Sequence, residues 1–320
     1  MRRRFLHWLG AGLLAPFALH AQPLAAWPPR ELQLLVPFEP GGNMAMLANL
    51  LADMMTPALP QRAIVVYRSG ADGNIGTSYA ARAEPDGRTV LLTGSSFLMN
   101  PLLNPDAAYD PMRDFDPVAR LAVAPNVLIA NAALRGKTLE QLLAKPAGSL
   151  AFATAGHGNS SHIAAELFMA KTGARWLHVP YRGTGPAVRA VEGGEVQLMF
   201  VPAGVVPGAV ATGKVFALGV AAPSRVAALP DVPTFAELGV RGADNAQWYG
   251  VFVPAGTPPA VSRQLSELVV RTVQDPAMRK RLEATGMDPA ALAQREFADF
   301  LAAERERMAA LVKTRGIRKE

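Results

Sequence analysis

From Leu32 onward, short aliphatic and β-branched runs alternate with stretches of helical periodicity, and few folds accommodate that alternation. Leu32–Phe38 is followed by an apolar stripe at Leu47, Leu50, Leu51 and Met54 and then by Ile64–Tyr67, a β-α-β pattern. It continues in Val90–Thr93 and, beyond a proline-rich stretch, in Val127–Ala130, Leu150–Thr154, Leu177–Val179, Val196–Phe200 and Val215–Val220. Strands separated by helices predict an α/β protein with parallel, doubly wound sheets and right-handed crossovers. A chain of 320 residues, half of them apolar, can bury two ordinary cores. The stretches Asp116–Pro125 and Ala221–Pro233 read as crossings between two lobes. They bracket a middle lobe of residues 124–222 and leave a discontinuous first lobe of 27–123 and 223–320. The latter is expected to include a strand at Trp248–Val253 and helices near 258–274 and 294–314. Two lobes joined by two hinge strands is the architecture expected.

The first residues form an export signal. Arg2, Arg3 and Arg4 precede an apolar run from Trp8 to Leu19 and small residues around Ala21, where cleavage is expected. The run falls short of the ~20 apolar residues that span a bilayer. Three arginines before Phe5-Leu6 fit the twin-arginine route and the general secretory route equally. Either route places the mature chain, residues 22–320, in the periplasm. Removal of the signal takes away three arginines and no acids, so the formal charge falls from +6 to +3. The remaining basic cluster, Lys313, Arg315, Arg318 and Lys319, suits a helix end, and no aromatic-interleaved basic stripe points to nucleic acid. Cysteine is absent, which excludes disulfides, a cysteine-linked lipid and thiolate metal sites.

Two glycine loops stand where a strand gives way to a helix. The first contains Phe38, Glu39, Pro40, Gly41, Gly42 and Asn43; the second runs Thr154, Ala155, Gly156, His157, Gly158, Asn159, Ser160, Ser161. Ligands of open α/β sheets sit at this carboxyl edge. Glycine lets backbone approach a ligand, and free N–H groups at a helix start favour an anion. Asn159, Ser160 and Ser161 suit both helix capping and carboxylate recognition. The alternative for each loop is a tight turn and a cap with no ligand. Gly156-x-Gly158 lacks the third glycine and the acidic partner of a dinucleotide site, and Gly70–Gly76 lacks the Lys-Ser/Thr of a phosphate loop, so no cofactor is expected.

For catalysis, the pairs His157/Ser160 and His162/Ser161 leave a periplasmic hydrolase as the alternative to a binding protein, although no Gly-x-Ser-x-Gly elbow is present. His157, His162 and His178 lack a His-Glu-x-x-His pattern, and no metal is expected.

Taken together, the ordered blocks resemble the Bordetella uptake gene family, the periplasmic receptors of tripartite tricarboxylate transporters. They include Val36-Pro37-Phe38 with Pro40-Gly41-Gly42, Gly73–Thr77, Pro85-Asp86-Gly87, Tyr109-Asp110-Pro111, Ala155–His162, His178–Gly183, Leu229–Thr234 and Pro254–Pro258. The resemblance runs from about Leu32 to Gly316. It implies a type II periplasmic-binding fold, with the carboxylate held mainly by backbone and water from loops 38–43 and 154–161, and with Ser95, Ser96, Gly183 and Thr184 at the cleft edges. It further implies a monomeric, non-enzymatic receptor that closes on a small organic carboxylate and passes it to membrane transporter subunits. A receptor presenting its liganded form to a sensor is the other binding role. The chain departs from the family pattern at Ala45 and Asn49, where Asp and Arg are usual, and at Glu39, where a small or apolar residue is usual. A carboxylate at the mouth of an anion site disfavours a tricarboxylate, so a monocarboxylate, an aromatic acid or a zwitterion is expected. Phe38 is placed to stack on such a ligand or to pack against Tyr181.

Overall fold

The computed structural model describes residues 27–317 apart from 41, 42, 105, 106 and 182. The export signal expected at residues 1–21 lies outside the described residues. The first half of the chain forms β1 (Leu32–Val36), α1 (Asn43–Met55), β2 (Ala63–Tyr67), α2 (Asn74–Ala81), β3 (Thr89–Gly94), α3 (Ser96–Leu103) and a long β4 (Phe115–Asn131). Then come α4 (Leu139–Leu143), β5 (Ala151–Thr154), α5 (Ser160–Thr172), β6 (Leu177–Pro180), α6 (Thr184–Gly193), β7 (Leu198–Pro202), α7 (Val206–Ala211) and β8 (Val215–Val220). The chain closes with β9 (Ala246–Pro254), α8 (Pro259–Gln274), α9 (Pro276–Ala284), β10 (Asp288–Leu292) and α10 (Gln294–Arg315).

The continuous apolar sequence of β1 reflects burial between two helical layers. Leu47, Ala48, Leu51 and Met55 of α1 pack on one face of its sheet with Leu265, Val269 and Val273 of α8. Phe97, Leu98, Phe297 and Leu301 of α3 and α10 cover the other face. The second lobe repeats the sandwich, with α6 and α7 on one face and α4 and α5 on the other.

Hydrogen-bonded neighbours run β2-β1-β3-β9-β4-β7-β5-β6, with β8 and β10 added on β4. The three strands β2, β1 and β3 are parallel, as are β6, β5 and β7. The expectation of wholly parallel sheets is corrected by β9, which runs antiparallel to β3 and β4, and by the antiparallel pairing of β4 with β7, β8 and β10. The cause is the crossing itself: the chain leaves the first lobe in β4 and returns beside it in β9, so the two run in opposite directions.

Strand β4 belongs to both lobes. Phe115–Pro125 pairs with β9, and Asn126–Asn131 pairs with β7 and β8. The second crossing falls later than the sequence suggests. Residues after β8 remain in the second lobe, where Thr234 bridges Val220 and Phe235 and Ala243 are buried in its core. The return comes at Asn245, whose backbone oxygen accepts from Asn126 N at 3.1 Å and whose Oδ1 accepts from Asn126 Nδ2 at 2.7 Å. Both asparagines are buried. The structure also adds α9 and β10, which the sequence reading lacks.

Among the described residues, the lobes also meet away from the hinge strands. Arg315 of α10 donates from Nε to Glu166 Oε2 of α5 at 2.7 Å, and Ile163 of α5 is buried among first-lobe side chains. Gly158 abuts α3, where an added Cβ would stand 2.6 Å from Leu103 Cδ1 and 3.1 Å from Met99 Cγ. Gly204, just after β7, abuts the α9–β10 turn at Thr285 and Gly286.

Candidate ligand-binding cleft

A cleft of about 700 Å³ lies between the lobes at the carboxyl edges of their parallel strands. The first residues of four helices line it: Asn43 of α1, Ser96 of α3, Ser160 of α5 and Thr184 of α6. A helix start leaves N–H groups unpaired and carries about half a positive charge, so these four bring partial positive charge to the cleft from the backbone. Among the described residues lining it there is no Lys or Arg, and the charged groups are Glu39 and Asp72. Glu39 is exposed and accepts a short hydrogen bond from Ser69 Oγ, which ties it to the first-lobe rim.

The second-lobe loop is built by its own polar side chains. Thr154 Oγ1 donates to Gly156 O at 3.1 Å and meets His178 Nε2 at 2.7 Å. Asn159 caps α5: its Oδ1 accepts from His162 N at 3.0 Å and from Ser161 Oγ at 2.6 Å. Ser161 Oγ in turn accepts from Ala155 N at 3.1 Å. Since both bonds fall on Oδ1, the donor Nδ2 is fixed on the other side, and there it is buried without a partner. His157 Nδ1 is likewise buried and unpartnered. Both residues line the cleft. Gly156 (φ +127°) and Gly183 (φ +103°) hold backbone that a side chain would strain, and an added Cβ at either finds no atom closer than 3.8 Å.

Ten residues singled out from the sequence line the cleft together: Phe38, Asn43, Ser96, Gly156, His157, Asn159, Ser160, Ser161, Gly183 and Thr184. Four do not. Pro40 is exposed beside the cleft, and Ser95 is buried at the start of α3. Thr154 is fully buried and supports the loop from below. Gly158 faces the other lobe, because its backbone carries the contact with α3. Gly41 and Gly42 lie outside the described residues. The lining also includes Asp72, Asn100, Tyr181, Met199, Phe200, Pro202, Val205, Gln247 and Tyr249, which the sequence reading did not select. Period-two alternation would have paired Gln247 with Tyr249 on one face of β9. Tyr249 is buried, hydrogen-bonds Asn43, and is pushed up to about 12 by desolvation.

Ala45 lines the cleft, whereas Asn49 turns outward to Ala45 O and Tyr67 Oη, at 2.8 and 3.0 Å. Phe38 packs over Gly73 and makes no ring contact with Tyr181, which stands on the opposite lobe. The Ser/His pairs of the hydrolase alternative do not form. Ser161 bonds Asn159, His162 Nδ1 accepts from Gly158 N at 3.1 Å, and no hydrogen bond joins Ser160 to His157 among the described residues.

Two α/β lobes on a strand hinge, with helix starts converging on the gap between them, define a solute receptor. The profile described as the tripartite tricarboxylate transporter family receptor matches residues 47–317, and the chain belongs to that family. BugT of Bordetella pertussis (strain Tohama I) is 33% identical over 311 residues, which are 96% of this chain and 94% of BugT. The Rhodopseudomonas palustris protein Rpa4515, solved with adipate, superposes with a TM-score of 0.83 at 30% identity, covering 91% of this chain and 99% of that one. MatC of the same organism, solved with bound malate, gives 0.76 at 31% identity, covering 89% and 100%. The fold is shared with these structures and with the periplasmic binding protein BugD, which superposes with a TM-score of 0.79 at 30% identity and covers 92% of this chain and 100% of that one. No described helix is long and apolar enough to cross a membrane.

Proposed function

We propose that the chain is exported, acts as a monomeric periplasmic receptor without catalysis, captures a small organic carboxylate in the cleft by hinge closure, and passes it to membrane transporter subunits. The observation that supports this reading is the convergence of four helix starts on a cleft whose described lining has no cationic side chain. Such a site neutralises a carboxylate with fixed N–H dipoles, which gain strength as closure expels water. Asn159 Nδ2 and His157 Nδ1 then find in the ligand the partners they lack in the protein. The adipate and malate of the two similar structures belong to the same chemical class.

The ligand class is narrower here. Glu39 and Asp72 stand in the same cleft as the helix starts, so one end of the ligand meets positive dipoles while the rest meets acidic groups. A monocarboxylate, an aromatic acid or a zwitterion fits this polarity; a tricarboxylate places its extra charge against them. Thermal-shift screening of organic acids, followed by calorimetry and mass spectrometry of small molecules released from the native protein, tests both statements. A saturable 1:1 complex with such an acid and no turnover is the expected result. Preference for citrate refutes the ligand class, and product formation refutes the receptor.

A further inference from the structure

His157, His162 and His178 are all the histidines of the chain beyond residue 20, and the fold brings the three together. Each offers one nitrogen to a cluster in which these atoms lie within 4.8 Å of one another. His162 and His178 stack with centroids 4.2 Å apart, and His157 stands edge-on to them at 5.7 and 5.0 Å.

Two of the rings have an oxygen near Nε2. Thr154 Oγ1 lies 2.7 Å from His178 Nε2 and 3.1 Å from Gly156 O; with the hydroxyl proton on Gly156 O, the imidazole is the donor and its lone pair is on Nδ1. His162 has the same arrangement: Nε2 faces Glu166 Oε1 at 3.9 Å, and Nδ1 accepts from Gly158 N. Glu166 is itself anchored by Arg315. His157 completes the set with a buried Nδ1 that has no partner. An imidazole with one ring nitrogen facing an oxygen is the arrangement that ligates a metal through the other.

We propose that His157, His162 and His178 bind one divalent transition metal of the Zn²⁺ or Ni²⁺ type, each through Nδ1, in the second-lobe wall of the cleft. Bonds of about 2.0–2.1 Å in a tetrahedral site require nitrogens roughly 3.3 Å apart, so binding draws the rings together, opens the His162–His178 stack and exchanges the Gly158 N–H bond for the ion. His157 sits between Gly156 and Gly158, both at positive φ. Three protein ligands leave a fourth position, and His157 lines the cleft, so that position is open to water or to a carboxylate oxygen. The proposal stands on the imidazole geometry and does not need the cleft to bind a carboxylate.

The test uses the mature chain without a polyhistidine tag, stripped by chelator. Titration with Co²⁺ is expected to give tetrahedral visible bands that saturate at one ion per chain, and Zn²⁺ calorimetry to give the same stoichiometry. His157→Ala is expected to weaken Zn²⁺ binding at least tenfold with an unchanged far-ultraviolet spectrum. If that variant fails to fold, proton NMR of the wild type decides: Co²⁺ is expected to shift or broaden the imidazole signals of all three histidines together. No saturable Zn²⁺ binding below about 1 mM, binding that survives in His157→Ala, or perturbation of one histidine alone overturns the proposal. Carboxylate binding measured in chelator reports on the receptor separately.

Discussion

The contact between Gly204 and the Thr285-Gly286 turn gives a direct handle on closure, because one partner comes from each lobe. A methyl group added at Gly204 would overlap the Thr285 carbonyl oxygen and stand 3.1 Å from its carbon; the reciprocal group on Gly286 would stand 2.5 Å from Gly204 Cα. Ordinary contact needs about 3.4–4 Å, and both sides are backbone, so no side chain can swing away. In Gly204→Ala the lobes therefore separate at this point by on the order of 1 Å, or the closed state carries an overpacking cost of about 1–3 kcal/mol. That corresponds to an affinity loss of roughly 5- to 150-fold for the acid that gives the largest thermal shift. Neither lobe's own core includes the contact, so the ligand-free melting temperature is expected to stay close to wild type. Gly208→Ala, where the added methyl meets nothing within 4 Å, is the control and should bind normally. Calorimetry reads the affinity, and solution scattering reads the lobe opening with and without ligand. A folded Gly204→Ala that binds within twofold of wild type would refute the idea that this contact belongs to the closed state.

Asn159→Asp keeps the acceptor that caps α5 but replaces the unpartnered Nδ2 with a charged oxygen, so carboxylate affinity should fall at least tenfold while the melting temperature holds; Asn159→Ala should cost about 1 kcal/mol of stability from the lost cap. Stability should decline as pH drops from about 6.5 towards 4 and 3, because the unfolded histidines take up protons there while folded His178 and His162 resist. Replacing His178 with Gln should flatten that limb in a pH series of melts. Arg315→Ala strands the buried Glu166 carboxylate at the α5–α10 contact, and denaturant unfolding should show a loss of about 1–3 kcal/mol.

Much of the fold was legible because helix starts and buried strands leave local traces. The apolar run of β1, the stripe of α1 and the glycine-to-polar turn before α5 each announce themselves within about ten residues. What escaped depends on distant partners. Asp116–Pro125 reads as a crossing with no strand assigned to it, yet β4 continues through Pro117 and Pro125 because pairing with β9 shifts register near Pro117 and the lobe change follows directly after Pro125. In β10 the sequence Asp288–Leu292 has no β-branched residue and survives as a strand through its neighbour β4. Asn126 and Asn245 are unremarkable in sequence and meet only after the chain has made the whole second lobe. The cleft was legible in its helix starts and glycines; alternation pairs Gln247 with Tyr249 on one face of β9, but nothing local turns that face towards the cleft. The histidines were visible one by one, but their spacing of five and sixteen residues matches no helical or strand repeat that would place them together.

The sharing of β4 bears on how the molecule comes apart. Melting the second lobe would strip hydrogen-bond partners from Asn126–Asn131, and melting the first would do the same to Phe115–Pro125, all on one uninterrupted strand. Neither half owns a complete sheet. A scan by calorimetry should accordingly show one cooperative endotherm in place of two, and a protein cut at either crossing should yield fragments that recover order only when mixed.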